Sequence, residues 1–330
     1  MKFKCGSLFA GIGGFCLGFE RAGFQTAWAN DLDPDAALVY GENFPKTKFL
    51  NSDLKDVDLA NLAKVDVIHG GFPCQSFSQA GNRMGFDDPK GRGQLFHIMM
   101  DRIESLGESK PSFLVFENAP YLKIGNRGAW FTEVSNRIKM AGYWFSEASC
   151  FEICPSKDLG AVQARNRLFM VAALRSKFSC NPVFEIETNA GHEPTLDSIV
   201  DRSEQKDDAY YLDPQSKYFH LIDREKDSEK DQRIFQLRKF VVRPQRLGHC
   251  PTLTANMGEG GHNVPFIHDA HGIRKLTEME CFRLQGFPEN FCMTGVRRTA
   301  AYRLAGNAIY PGVSEAIART IKKALIEEIS

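Results

Sequence analysis

The stretch Gly70-Gly71-Phe72-Pro73-Cys74-Gln75-Ser76-Phe77-Ser78-Gln79 decides how this chain is read. Immediately before it, Val65-Asp66-Val67-Ile68 has the character of a short buried strand, and the glycine pair followed by Phe-Pro stops that strand abruptly. Cys74 is therefore expected on a sharp turn at the strand's carboxyl end, where its thiol is presented as a nucleophile. In an open parallel sheet, that edge is where ligands bind.

Working outward, the first 175 residues alternate strand and helix. Residues 4–10 form an apolar run ending in Gly11-Ile12-Gly13-Gly14, and 15–22 follow with apolar residues at helical spacing. Strands are expected at 24–29, 65–68, 112–116, 143–153 and 168–174. Helices are expected at 34–44, where Pro34 suits a first helical position, and at 95–106 and 129–140. This alternation predicts an α/β fold, a doubly wound and mostly parallel sheet with helices on both faces. Beyond 175 the pattern fades until helices at 277–284 and 313–329.

The 330 residues, 43% of them hydrophobic, suffice for two domains or one large domain with an insertion. No uninterrupted apolar stretch reaches the roughly 18 residues of a membrane span. Formal net charge is zero, but its distribution is uneven: residues 185–231 hold 14 acidic and 6 basic side chains, whereas 233–320 hold 6 acidic and 12 basic. The acidic part reads as a linker or surface excursion, and the basic part suits phosphate contact. Nine cysteines without a Cys-x-x-Cys pair, and no apolar amino-terminal signal, point to a reducing cytosol and unbridged thiols. Cys150 with Cys154, and His249-Cys250 with His262, His268 and His271, lack a repeated ligand pair at zinc spacing, so no metal site is expected.

Other residues gather at the same sheet edge. Gly11-x-Gly13-Gly14 allows close backbone approach to a ligand, although it lacks the Gly-x-Gly-x-x-Gly spacing of dinucleotide sites and also suits plain tight packing. Asp31 ends the second strand and can accept from ribose hydroxyls, and Asp53 can accept from an adenine amino group; each is equally readable as a cap. Glu117 follows the buried run Phe113-Leu114-Val115-Phe116, where desolvation raises a carboxyl pKa toward that of a proton donor, while a salt-bridged structural role is the other reading. Arg165 and Arg167, two apart in extended chain, are expected to point to one side.

Together these residues resemble the DNA (cytosine-5) methyltransferases of prokaryotic restriction-modification systems. Phe9-Ala10-Gly11-Ile12-Gly13-Gly14 is similar to that family's cofactor loop, and Gly71-Phe72-Pro73-Cys74-Gln75-Ser76-Phe77-Ser78 to its nucleophile motif. Glu117-Asn118, here followed by Ala where Val is usual, resembles the glutamate motif, and Gln163-x-Arg165-x-Arg167 the double-arginine motif. Leu276-Thr277-Glu278 through Arg283-Leu284-Gln285-Gly286-Phe287-Pro288 and Gly306-Asn307-Ala308 complete six motifs in order over about 310 residues.

The resemblance implies methyl transfer from S-adenosylmethionine, leaving S-adenosylhomocysteine, to carbon 5 of a cytosine flipped out of double-stranded DNA. It assigns Cys74 to attack at carbon 6, Glu117 to ring nitrogen 3, Arg167 to the carbonyl oxygen and Arg165 to the same pocket. It implies cofactor contacts at Phe9, Gly11, Gly13, Gly14, Asp31, Asp53, Pro73, Leu95 and Asn307. Asp31 stands where Glu is common, and Leu32 where some relatives have an aromatic residue. Residues 1–175 plus 273–330 would form the catalytic and cofactor-binding domain. Residues 176–272 would form a smaller, irregular, β-rich target-recognition domain, with Arg238, Lys239, Arg243, Arg246, Thr252 and Thr254 meeting DNA beside Gln75 and Ser78. A monomer in the cytoplasm, at the nucleoid of a prokaryote, is expected. A cognate restriction endonuclease would act on the same site without direct contact. An RNA methyltransferase of the same fold and a catalytically silent DNA-binding relative are the rival readings; the DNA-type sequence around Cys74 argues against the first, and the presence of all four catalytic side chains against the second.

Overall fold

The structure, a computed structural model, describes residues 2–74, 77, 84–88, 91, 93–187, 194–228, 231–259 and 263–329. In chain order its elements are β1 (Lys4–Leu8), α1 (Gly14–Arg21), β2 (Gln25–Asp31), α2 (Pro34–Asn43), β3 (Lys48–Asn51), β4 (Val67–Gly71), α3 (Leu95–Glu104), β5 (Phe113–Asn118), α4 (Tyr121–Ile124), α5 (Ala129–Met140), β6 (Tyr143–Trp144), β7 (Cys150–Ile153), α6 (Pro155–Asp158) and β8 (Arg167–Leu174). There follow α7 (Leu196–Ile199), α8 (Lys217–Asp223), β9 (Phe235–Arg238), β10 (Val241–Pro244), β11 (Phe266–Asp269), β12 (Gly272–Lys275), α9 (Glu278–Leu284), α10 (Arg298–Asn307) and α11 (Pro311–Ile329). The chain divides into two compact units. The first holds Met1–Ile153, Asn166–Thr188 and Pro311–Ser330, and the second Cys154–Arg165 and Asn189–Tyr310.

The first unit is built on an eight-stranded sheet of order β3-β2-β1-β4-β5-β8-β6, with β7 also pairing β8. The run from β3 to β5 is parallel, whereas β6, β7 and β8 join antiparallel. Side-chain alternation sorts the two faces. Leu8, Ile68, Leu114, Phe116, Met170 and Ala172 share a buried cluster with Met99, Met100 and Ile103 of α3 and Val134 and Ile138 of α5. On the opposite side, His69 stacks on Phe15 of α1 at 4.9 Å, and Phe15 meets Phe169 of β8 edge-on at 6.1 Å. Helix α11 closes that layer against α1, where Ser314 Oγ donates to the Gly14 carbonyl at 2.9 Å and Lys322 Nζ to the Ala22 carbonyl.

The second unit has its own four-stranded antiparallel sheet, of order β10-β9-β11-β12. Ile222 of α8 packs into a small core with Phe235, Leu237, Val242, Phe266 and Ile273. Arg274, fully buried, donates to both carboxylate oxygens of Glu280 at 2.8 Å and to Asp269 at 2.7 Å. Glu280 also accepts from the Thr277 backbone N–H in a capping box that starts α9. A buried guanidinium is tolerable because each of these charges has a partner.

Several expectations change. The strand expected over 143–153 is two short strands, because a turn at Glu147–Ser149 interrupts it. β3 and α10 carry too weak an apolar period to be anticipated. The acidic stretch, read as a linker or surface excursion, contains α7 and α8, and Leu196, Ile199 and Ile222 are buried. Of residues 273–330, placed by sequence with the cofactor portion, only Pro311–Ser330 belongs to the first unit. Residues 273–310 pack within the second, where α10 lies against the turn Ala255–Gly258 so closely that a Cβ on Gly306 would come within 2.2 Å of the Thr254 carbonyl carbon.

The α1–α11 contact is testable. A Cβ on Gly18 would lie 2.1 Å from Ser314 Oγ and 2.5 Å from the Pro311 carbonyl oxygen, whereas one on Gly41, in α2, meets nothing within 4 Å. Gly18→Ala should destabilise by about 1–3 kcal/mol, and Gly41→Ala should stabilise by about 0.5–1 kcal/mol, both read as shifts in the urea midpoint. His69 offers a second test. It is fully buried, neither ring nitrogen finds a hydrogen-bonding partner among the described residues, and burial pushes its pKa down to about 3. Between that value and the roughly 6.5 of an exposed histidine, the unfolded chain binds the extra proton. Stability present above that window is therefore lost as pH falls through it. His69→Phe should flatten the stability slope by up to roughly 1.4 kcal/mol per pH unit, measured by urea unfolding at a series of pH values; an unchanged slope would assign the titration to other groups.

Candidate active site

In the first unit the chain moves outward from β1 to β2 and β3, then returns to place β4 on the other side of β1. Loops leaving the carboxyl ends of β1 and β4 thus diverge, which opens a crevice at that edge. The β1 loop is held in shape by its own backbone. Phe9, Gly11 and Gly13 have φ of 53°, 54° and 89°. For Phe9 this left-handed conformation costs about 1 kcal/mol or more, so the loop is strained at one of the residues expected to meet cofactor. A Cβ on Gly13 would strike the Phe44 ring at 2.3 Å, while one on Gly11 would meet nothing within 4 Å. Gly13 is required by packing, and Gly11 leaves open space beside the loop. Gly14 is buried as the first residue of α1.

Asp31, at the carboxyl end of β2, accepts from the Gly11 N–H at 2.7 Å and the Asp33 N–H at 2.9 Å. Burial lifts its pKa above the ordinary carboxylate range, against the pull of those two N–H groups. Its role includes locking the glycine loop, and a carboxylate with two oxygens retains acceptor capacity for a ligand. Asn30 Nδ2 donates to the carbonyls of Leu50 and Ser52, which brings the β3 loop alongside; there Asp53 caps a short helical turn by accepting from the Lys55 N–H.

The Cys74 loop follows β4. Gly70 has no room for a side chain, since a Cβ would lie 2.6 Å from the Leu8 carbonyl oxygen. Gly71 sits directly opposite Glu117 on β5, so Pro73 and the half-buried Cys74 emerge at the same edge as that carboxylate. Cys74 carries no disulfide, and its carbonyl accepts from the Phe77 N–H at 2.9 Å. Phe72 and Phe77, 1% and 0% exposed, anchor the loop among Phe86, Phe96 and Trp130. Each fully buried ring contributes roughly 1.5–3 kcal/mol. Asn118 ties this loop to β5: fully buried, it donates from Nδ2 to the Phe72 carbonyl at 3.1 Å and accepts from the Ala119 N–H at 2.9 Å. Sequence reading gave Asn118 no role, although an amide ending so apolar a strand was a signal. Leu95 begins α3.

Glu117 is buried, and Arg167, at the start of β8, donates from Nε to its Oε1 at 2.8 Å. Glu117 thus combines burial with the ion pair that the other sequence reading considered, and the guanidinium supplies a counter-charge that opposes the effect of desolvation. Arg167 also donates to the Asn166 carbonyl. Arg165 falls in the second unit, is 6% exposed and donates from Nη1 to the Leu253 carbonyl at 2.7 Å. Gln163 beside it bonds Leu284, Gln285 and the Leu253 N–H.

In the second unit Arg238, Arg243 and Arg246 are exposed. Thr252 donates its hydroxyl to the Ala164 carbonyl and Thr254 to Asn256 Oδ1, so both hydroxyls serve loop structure and keep acceptor lone pairs. Asn307 is exposed at the end of α10. Gln75 and Ser78 lie outside the described residues. Among the described residues no cluster of three or more His, Cys, Asp or Glu side chains is arranged to hold a metal, and no helix is long and apolar enough to cross a membrane.

Comparison with known proteins places this geometry. The model for C-5 cytosine-specific DNA methylase matches residues 3–323. Type II methyltransferase M.Bsp6I of Bacillus sp. (strain RFL6) is 36% identical over 323 residues, covering 97% of this chain and 98% of that protein. Type II methyltransferase M1.ScrFI of Lactococcus lactis subsp. cremoris is 30% identical over 325 residues, covering 98% and 79%. The methyltransferase EhMeth of Entamoeba histolytica shares the fold with a TM-score of 0.73 at 17% identity, covering 98% of this chain and 99% of that one. DNMT2 of Spodoptera frugiperda does so at 0.69 and 18%, covering 98% and 100%. With the family's model matched almost end to end and relatives at 36% and 30% identity over nearly all of it, the chain belongs to the C-5 cytosine-specific DNA methylases.

Proposed function

We propose that the chain methylates carbon 5 of a cytosine within a specific duplex sequence, through a covalent adduct between Cys74 and carbon 6 of a base flipped out of the helix. The observation that carries this reading is the Gly71–Glu117 register, which brings Cys74 and an Arg167-paired Glu117 to one sheet edge. Carbon 5 of cytosine is a weak nucleophile inside an aromatic ring. Addition of the Cys74 thiolate forms a carbon–sulfur bond at carbon 6 and moves the ring's double-bond electrons toward carbon 5. Glu117 holds a proton at ring nitrogen 3 as negative charge develops, and Arg167 orients Glu117 and meets the cytosine carbonyl oxygen. Once carbon 5 carries its methyl group, loss of its proton re-forms the double bond and expels Cys74 as thiolate. A base inside a stacked duplex shields carbon 6, so extrusion of the nucleotide is required.

S-adenosylmethionine, when bound, supplies an electrophilic methyl group. The open space beside Gly11, the strained Phe9 and the Asp31 carboxylate fit such a donor. We assign it to Phe9, Gly11, Gly13, Gly14, Asp31, Asp53, Pro73 and Leu95, and by motif resemblance to Asn307. Arg165 would order the substrate pocket. Target recognition falls to the second unit, with Arg238, Arg243, Arg246, Thr252 and Thr254 as DNA contacts. The names of the relatives support a restriction-modification setting, in which an endonuclease reads the same site and needs no contact with this chain.

Purified wild-type protein should transfer labelled methyl groups to DNA and form a denaturant-stable complex with duplex carrying 5-fluorocytosine at the target, since fluorine blocks the final elimination. Cys74→Ala should bind DNA but show neither activity; near wild-type incorporation by that variant would sink the covalent route. Asn118→Ala, which releases the Phe72 carbonyl, should lose about 1–3 kcal/mol of stability. It should also lower the turnover number more than it raises KM for DNA, as steady-state kinetics would reveal.

A further inference from the structure

The β9–β10 hairpin joins its strands through two residues, Lys239 and Phe240, because Val241 pairs with Arg238. Loops of this length favour a positive φ at the first position, where glycine is the usual occupant. Lys239 occupies it with φ 57°. A long side chain is thus retained where the backbone favours none. Alternation along the two strands separates their faces. Phe235, Leu237 and Val242 point into the core of the second unit, so Gln236, Arg238, Val241 and Arg243 share the outer face.

That outer face ends in exposed apolar surface. Phe240 is 61% exposed and Val241 57%, on a strand that forms the edge of its sheet. Exposed apolar edges invite aggregation unless something covers them. Lys217 Nζ lies 4.8 Å from the Phe240 ring centroid and 5.1 Å from that of Tyr218. Arg238, Lys239 and Arg243, all exposed, are carried by the same hairpin, so four cations and one accessible aromatic ring share this part of the second unit. A flat apolar ring among cations complements a polyanion that also has flat apolar faces, which is the chemistry of a nucleic acid.

We propose that Phe240 is a base-contacting residue for the DNA substrate, its ring packed against a base in the groove while Arg238, Lys239 and Arg243 meet flanking phosphates. This rests on the reading that the chain acts on duplex DNA. The test takes the methylated sequence from bisulfite sequencing of DNA from cells expressing the chain. It then measures binding of the purified protein to a duplex holding that sequence and to an unrelated duplex, across about 50–200 mM salt.

Phe240→Ala should weaken binding to the target duplex by at least about fivefold and leave the salt dependence, melting temperature and S-adenosylmethionine affinity unchanged. Phe240→Trp should restore binding. Lys239→Gly should weaken both duplexes alike and reduce the salt slope by about one unit, with no drop in melting temperature because glycine suits the turn. Phe240→Ala binding equal to wild type at every salt concentration would overturn the inference, as would a loss matched by a lower melting temperature. If wild-type protein methylates its duplex and the variants match it, only this inference falls; if wild-type protein neither binds nor methylates duplex DNA, the reading of function falls with it.

Discussion

The parallel pairing of β1 with β4 is the constraint on which the catalytic unit depends. Leu8 lies opposite Gly70, and the backbones run so close there that no side chain fits on the glycine. Because the chain reverses its direction of travel across the sheet at this seam, the loops after the two strands part and leave a crevice between them. One wall is the strained turn from Phe9 to Gly13, and the other is the Phe-Pro-Cys turn. Any shift in the register of β1 on β4 would move both walls, since neither loop has an independent support as stiff as the sheet.

Rigidity at the crevice comes from polar groups sealed inside apolar surroundings. Asn118 bonds the Phe72 carbonyl from a fully buried position, and Glu117 next to it is neutralised by Arg167. Such contacts add little net stability, because the same groups are well solvated in the unfolded chain. Their worth is directional: an amide with one donor aimed at one carbonyl specifies a single loop path, whereas Phe72 and Phe77 supply the burial energy with less angular demand. The Cys74 loop is held by aromatic packing for stability and by Asn118 for orientation.

The first unit was largely legible from sequence because its central strands β5 and β8 are mostly apolar and its longer helices amphipathic, so residues such as Val67, Ile68 and Phe113 announce themselves, whereas β3 does not. The second unit was less so. Its strands are four residues long, too short for alternation to stand out, and its core draws single anchors such as Ile222 from stretches dominated by charge. The motif Gln163-x-Arg165-x-Arg167 shows the limit most clearly. Equal spacing in extended chain suggested a shared target but could not name the partners, the Leu253 carbonyl for Arg165 and Glu117 for Arg167. A pattern of side-chain direction does not say where the boundary between two cores will cut it. Asn118 was quoted but not understood for a related reason: its partner is a backbone carbonyl 46 residues away, which no local pattern contains.

Helix α1 spans only eight residues, and α11 leans on it across a sequence separation of 300 at the Ser314–Gly14 hydrogen bond. So short a helix has little stability by itself in water. The loop proposed to meet the methyl donor is encoded among the first residues, yet the helix behind it depends on packing encoded 300 residues later.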